Sequence, residues 1–424
     1  LARLARRVNS WRSARAPSVL RLAVLCAFPV AGALIAPAAC GQTKPQPPQA
    51  ITVSVRDTLD GWDAVAGQNP GPIVMNKLQI SATIDGAAFN AEGFRVHGQL
   101  FRTDGASLTR RTGDIQTISN IEAPAVTRLF ELWVEQRFGK EGAGAVSLRA
   151  GLLDLNSEFD SIEPASLMIN SSHGIGPDLS RSGVNGPSIF PVSSVGVRSD
   201  WKISSRVTVR AAVFDGVPGD PQNPNAFVVV ALRPRDGVLS IAEANFNPAK
   251  KSGFAIGTWR YSVPADRIDG HGRNIGQGIY AFAYAPLASH WTGWLRVGRA
   301  SGDVQTVDGY LGAGIAGTGI VPSRADDMIG LALARASIGF PAVRAAGLPR
   351  QETSIELTYR AKLSKMLTVQ PDVQYVIDPA LVPHAPDALV LGVRLVITGN
   401  YPKAAPPADQ ADPSIAPDAP DQGS

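Results

Sequence analysis

Glu131, Trp133, Glu135 and Arg137 stand at every second position of one short run. In an extended strand alternate side chains share a face, so this spacing sets three charges and an indole on one side. That face can stack an apolar ring surface and exchange hydrogen bonds with polar edges. The same charges can equally pair with one another and stiffen a wall. Arg95 with His97, and Trp294 with Arg296, repeat the two-residue spacing on a smaller scale. Catalytic constellations are harder to find. The histidines, His97, His173, His271, His290 and His384, are too far apart for a local metal motif. There is no G-x-S-x-G elbow. A G-x-G-x-x-G occurs at Gly312, Gly314 and Gly317, but Gly319 and Pro322 follow it in place of a helix. Its glycines therefore read as shaping a loop, not as cradling a phosphate.

The elements that must position these residues are strands. Leu78, Ile80, Ala82 and Ile84 alternate with Gln79, Ser81, Thr83 and Asp85, and Phe94, Val96, Gly98 and Leu100 with Arg95, His97, Gln99 and Phe101. Phe130, Leu132 and Val134 lie opposite Glu131, Trp133 and Glu135. Ile355, Leu357 and Tyr359 oppose Glu356, Thr358 and Arg360, and Leu391, Val393 and Leu395 oppose Gly392 and Arg394. Long amphipathic helical patterns are missing, so the chain reads as all-β. Two features separate it from a soluble sandwich. The segments exceed the usual five or six residues, and their polar faces repeatedly carry Arg, Glu and Asp. A transmembrane antiparallel β-barrel accounts for both, with lipid on the apolar faces and a water-filled lumen on the charged ones. Roughly 340 residues at about 20 per strand and loop give about 16 strands.

Charge and cysteines belong to the N-terminus. The chain has 424 residues, 40 basic and 36 acidic, for a formal charge of +4. Arg3, Arg6, Arg7, Arg12, Arg15 and Arg21 precede an uncharged apolar run from Leu22 to Ala39, which contains the small-x-small site Ala36-Pro37-Ala38. Residues 1–38 are thus expected to be a signal peptide. Its removal leaves 34 basic residues against 36 acidic ones, near −2, and with that the case for nucleic-acid binding disappears. Of Cys26 and Cys40 only the second survives cleavage, in a poor lipidation context. Residues 39–60 read as a Pro-rich linker, 61–400 as the barrel and 401–424 as a disordered Pro/Ala/Asp-rich tail.

Several stretches resemble the carbohydrate-selective porins of the OprB family. They include Gly113-Asp114-Ile115-Gln116, Ser119-Asn120-Ile121-Glu122-Ala123, Arg128-Leu129-Phe130-Glu131-Leu132-Trp133 and Leu153-Asp154-Leu155-Asn156 with Glu158-Phe159. The segment from Ser171-Ser172-His173-Gly174-Ile175-Gly176-Pro177-Asp178 to Gly186-Pro187-Ser188-Ile189-Phe190-Pro191, then Arg324-Ala325-Asp326-Asp327 and Gln370-Pro371-Asp372-Val373-Gln374-Tyr375, continue the series in order. The resemblance implies an outer-membrane channel of a Gram-negative bacterium down which small sugars diffuse, with no reaction, cofactor or metal. Its partners would be the sugars, outer-membrane lipid and lipopolysaccharide, and the barrel-assembly machinery; a homo-oligomer is left open. The alternative is a non-conducting barrel, either a phospholipase-like enzyme or a structural anchor.

On this reading the first lumen candidates are Glu131, Trp133, Glu135 and Arg137. Arg95, His97, Arg149, Arg198, Arg210, Trp294 and Arg296 follow. Trp201, Trp259 and Trp291 are expected in an interfacial belt. The Ser171–Pro191 segment, carrying His173, Asp178 and Arg181, is either an infolded constriction loop or a surface loop. The last strand is expected to finish at Leu395-Val396-Ile397-Thr398, without the terminal aromatic residue usual in such barrels.

Overall fold

The computed structural model describes residues 50–402, residue 141 excepted. The expected signal peptide, most of the linker with Cys40, and the tail beyond Pro402 lie outside the described residues.

Strands run along the chain as β1 (Ile51–Ala66), β2 (Gly71–Asp85), β3 (Phe94–Gly105), β4 (Val126–Phe138), β5 (Val146–Leu153) and β6 (Ser194–Lys202). They continue as β7 (Val207–Asp215), β8 (Val238–Phe246), β9 (Gly253–Tyr261), β10 (Ala265–Asp266), β11 (Arg273–Asn274) and β12 (Gln277–Ala288). The last are β13 (Trp291–Ala300), β14 (Val307–Thr318), β15 (Met328–Ile338), β16 (Gln351–Lys362), β17 (Leu367–Ile377) and β18 (Ala388–Tyr401). Strands β10 and β11 form a separate hairpin; the other 16 pair antiparallel with their neighbours and close into a barrel. The closing seam pairs β1 with β18, from Val53 opposite Tyr401 to Ala66 opposite Leu389. Closure leaves no unpaired edge, which hydrocarbon would not tolerate.

The two ends of the barrel differ. At one end the connections are short, as at 203–206, 289–290 and 363–366, and both termini of the barrel lie there. Ser204 Oγ accepts from the Arg206 and Val207 amides at 3.2 and 3.1 Å, and Ser364 Oγ from Met366 and Leu367 at 3.1 and 3.0 Å, which closes two of these turns locally. At the other end the connections 106–125, 154–193, 216–237 and 262–276 are long. Short turns at one rim and long loops at the other are the periplasmic and extracellular rims of an outer-membrane barrel.

Outward positions are exposed and apolar: Leu132 and Val134, Leu295 and Val297, Ile355 and Leu357. The alternation read from the sequence survives in most strands, with three corrections. First, β1 begins at Ile51, inside the segment read as linker; Asp57 and Asp63 interrupt its apolar face and hide the alternation. Second, a register shift against β3 turns Phe130 inward beside Glu131, where it packs on Phe101 with ring centroids 5.5 Å apart. Third, β18 runs on to Tyr401, so the last strand does end on an aromatic residue.

The interior is not simply water-filled. Segment 154–193 folds into the barrel and packs Leu155, Phe159, Leu167, Met168 and Leu179 against inward Phe214, Leu239, Ile241, Trp259, Tyr280, Phe282 and Trp294. Trp259 therefore belongs to this inner core, 1% exposed, and not to an interfacial belt; Trp201 points outward at 50%. The glycines of the G-x-G-x-x-G lie within strand β14, not in a loop. A Cβ on Gly314 would sit 2.3 Å from the Trp294 indole, so that position must be glycine for the ring to lie flat on the wall.

Candidate functional site: the lumen wall and its inner loop

Strands β3 to β8 carry a charged band along the lumen. The register places Glu135 between Arg95 and Arg149, Arg149 opposite Arg198, and Arg210 between Asp200 and Glu243. Two arginines directly opposite each other repel, so carboxylates must intervene. Glu135 Oε2 lies 2.9 Å from Arg149 and 2.8 Å from Arg198. Glu158, reaching out from the inner loop, contacts Arg149, lies 3.1 Å from Arg198 and 3.4 Å from Arg210. Asp200 completes the series 2.7 Å from Arg210. Arg149 and Arg210 keep 16% and 21% of their side chains exposed, so their outer N–H groups still face the lumen.

Trp133 stands beside this ladder with its ring faces occupied. It stacks on His97 at 4.9 Å and 21°, carries the Arg149 guanidinium 3.8 Å from its centroid, and donates from Nε1 to Glu131 at 3.3 Å. His97 Nδ1 in turn lies 2.8 Å from Thr83 Oγ1. Only 8% of Trp133 is exposed. It is a built part of the wall and not the open stacking platform expected from its spacing. Opposite it on β5, Gly151 has φ +139, and a Cβ there would fall 2.7 Å from the Trp133 Cα. Arg95 and Arg137 sit lower, lining a cavity of about 190 Å³ with Asp85, Glu92 and Glu135 at the short-turn rim.

A second constellation anchors the inner loop. Arg296, on the β13 lumen face, donates to Asp160 Oδ1 and Oδ2 at 3.0 and 2.7 Å and also grips Asp178. All three side chains are nearly inaccessible, at 3%, 1% and 0%. Backbone amides of Ile169 and Asn170 donate to Glu356 of β16, and the Asp160 amide to Glu243 of β8 at 2.9 Å. The loop is thus tied to opposite walls. His173 lies buried against the Trp294 edge at 6.2 Å, and neither of its ring nitrogens has a hydrogen-bond partner. Burial lowers the His173 pKa to about 4, so the ring is neutral at pH 7. Burial, with the Glu131 charge adding to it, pushes the Asp154 carboxyl at the loop's first residue up to about 7. Arg181 binds Thr117 Oγ1 at 3.0 Å and the Ile115 carbonyl in the 106–125 loop.

Four basic residues of the lumen escaped the sequence reading. Arg56, Arg360 and Arg394 lie within electrostatic reach of one another, and Lys77 approaches both Arg56 and the Phe190 ring, 3.9 Å from its centroid. Arg394 is neutralised by Asp60 at 2.7 Å, whereas Arg360 donates to the Ser166 carbonyl at 2.9 Å and to Gln370 at 3.2 Å. Arg360 and Arg394 stand on the polar faces of alternating segments, which is the signal that could have singled them out. Arg56 lay in the supposed linker.

The carbohydrate-selective porin, OprB family model matches residues 73–398. The chain belongs to the OprB family. Its fold is that of the high-pH structure of Pseudomonas putida OprB, with TM-score 0.73 at 18% identity over 82% of this chain and 94% of that one. The low-pH structure of the same protein gives 0.54 at 13%, covering 82% and 93%. The outer membrane channel DcaP of Acinetobacter baumannii gives 0.55 at 9%, covering 82% and 97%. No curated protein matches the chain in sequence. As an OprB-family barrel the chain is an outer-membrane diffusion channel for sugars, and the family consists of channels.

Proposed function

We propose that small sugars cross this channel through the gap between the inner loop and the polar arc of the wall, passing Arg149 and Arg210 on one side and Arg56 and Arg360 on the other. A neutral sugar gives up water on entering a narrow lumen, and the wall must replace those hydrogen bonds. Guanidinium groups donate to hydroxyl oxygens; Glu158 and Asp200 accept from hydroxyl protons. Arg149, Arg210, Arg360, Glu158 and Asp200 already have protein partners, so a sugar competes for a share of their hydrogen-bonding capacity and binds weakly. Weak binding is what lets it leave. The observation that carries this reading is the division of the interior: the loop packs its apolar residues on one side of the wall, while Arg149 and Arg210 of the charged band keep 16% and 21% of their side chains exposed. Export by residues 1–38, membership of the Gram-negative envelope and the lack of any catalysed reaction belong to the same proposal.

Liposome swelling tests it with glucose, xylose and a disaccharide. The expected result is fast swelling with the two monosaccharides and slower swelling with the disaccharide. Folded protein that gives no sugar-dependent swelling would be a non-conducting barrel, and the proposal would fall.

A further inference from the structure

We propose that the short-turn rim of β4–β9 is a binding surface for anionic phospholipid, built from a patch of outward aromatic rings bordered by basic turns. Phe138, Trp201, Phe246 and Phe254 stand at the short-turn ends of β4, β6, β8 and β9, between 43% and 53% exposed. The register joins them into one surface. Phe138 lies opposite Val146, Val146 opposite Trp201, and Trp201 opposite Val209; Phe246 lies between Val207 and Phe254. Outward aromatic rings at strand ends mark the level where hydrocarbon gives way to lipid headgroups.

The turns just beyond this patch are 139–145, 203–206 and 247–252. They hold Lys140, Arg206, Lys250 and Lys251 against a single acid, Glu141. All four basic residues are exposed, and none has an ion-pair partner among the described residues. The rim is balanced elsewhere: Arg324 pairs with Asp327 at 2.7 Å and Lys362 with Asp326 at 2.8 Å. Positive charge is therefore left unmatched only where the aromatic patch lies beside it. Lys140 follows Phe138 by two residues, which sets it up to ~7 Å farther along the strand, at the height of the lipid phosphates. A zwitterionic lipid carries its own cation next to its phosphate and gains little from these turns. A lipid with net negative charge gains from each of them, while its acyl chains cover the rings. This inference rests on the chain being a membrane barrel, not on which solute it passes.

The test places a photo-cross-linking phenylalanine analogue at Phe246 of the full chain, reconstituted in vesicles of equal parts phosphatidylglycerol and phosphatidylcholine. The analogue at Trp201 is a second probe of the patch. Leu287, exposed at the same rim beside the turn 289–290, which has no Lys or Arg, is the control. Mass spectrometry of the adducts should show phosphatidylglycerol over phosphatidylcholine several-fold at Phe246 and at Trp201, and near parity at Leu287. The variant Lys140→Gln/Arg206→Gln/Lys250→Gln/Lys251→Gln should stay a heat-modifiable, folded barrel and bring both patch ratios down to that of the control. The pair Lys250→Gln/Lys251→Gln alone should lower the Phe246 ratio part of the way. Parity at Phe246 and Trp201 in the wild type would overturn the proposal. So would an equal phosphatidylglycerol excess at Leu287, or unchanged ratios in the fourfold variant.

Discussion

Replacing Arg296 by Met should release the inner loop and widen the channel. Arg296 is the only cation bonded to both Asp160 and Asp178 among the described residues, and it lies between β13 and the loop. Removing one partner of a buried ion pair costs about 3–5 kcal/mol, because the charge left behind has lost its solvation and its counter-ion. Asp160 Oδ2 still accepts from the Gly176 amide at 3.1 Å, which holds the cost near the lower end. About 3 kcal/mol lowers the ratio of docked to released loop by about two orders of magnitude. The bonds to Glu356 and Glu243 remain, so the loop should fluctuate and not leave altogether. Single-channel recordings in planar bilayers should show a larger and noisier conductance, and liposomes should swell faster with a disaccharide relative to a monosaccharide. Arg299→Met is the control, since that side chain is 68% exposed on the same strand. Adding Asp160→Asn and Asp178→Asn should restore part of the docking by removing the stranded charges. If folded Arg296→Met keeps the wild-type conductance and sugar cut-off, the loop does not form the constriction.

Three further outcomes follow from the geometry. His173 is lowered from 6.5 to about 4 by burial, so its stabilising neutrality is complete above pH 6.5 and lost as pH falls towards 4, at most about 3 kcal/mol. Thermal unfolding between those limits should therefore depend less on pH in His173→Gln than in the wild type, and parallel curves would contradict the assignment. Trp133→Ala should destabilise the barrel by about 3–5 kcal/mol in denaturant titrations, because it removes a buried ring held by His97 and Arg149; a loss under 1 kcal/mol would mean that the ring is not packed as described. Tyr401→Ala should slow assembly, read as a smaller heat-modifiable fraction at early times, since Tyr401 pairs with Val53 at the closing seam; unchanged kinetics would exclude that role.

Much of the barrel was legible because period-two alternation is a local property. Glu356, Thr358 and Arg360 against Ile355, Leu357 and Tyr359 need no knowledge of the rest of the chain. What escaped depended on other strands. Phe130 changes sides because of a register shift against β3, and nothing in its own segment records that. A tryptophan near a strand end, such as Trp259, has two homes, a belt or an inner core, and only the infolded loop decides between them. The site candidates show the same division. Asp178 and Arg296 were named separately, yet their contact across 118 positions of sequence is set by the loop's path. Strand parity alone puts Trp133 and Arg149 on polar faces, but which groups cover the indole follows from neighbouring strands.

The proposed path takes sugars along the charged arc of the wall. A sugar-titrated single-channel recording tests it most directly, with wild type compared to Arg210→Met, which leaves Glu158 and Asp200 without that partner. Glucose should reduce the wild-type ion current saturably, and the variant, still folded and conducting, should need a several-fold higher concentration for the same block. Current that is indifferent to sugar in the wild type, or block that is identical in the variant, would contradict it.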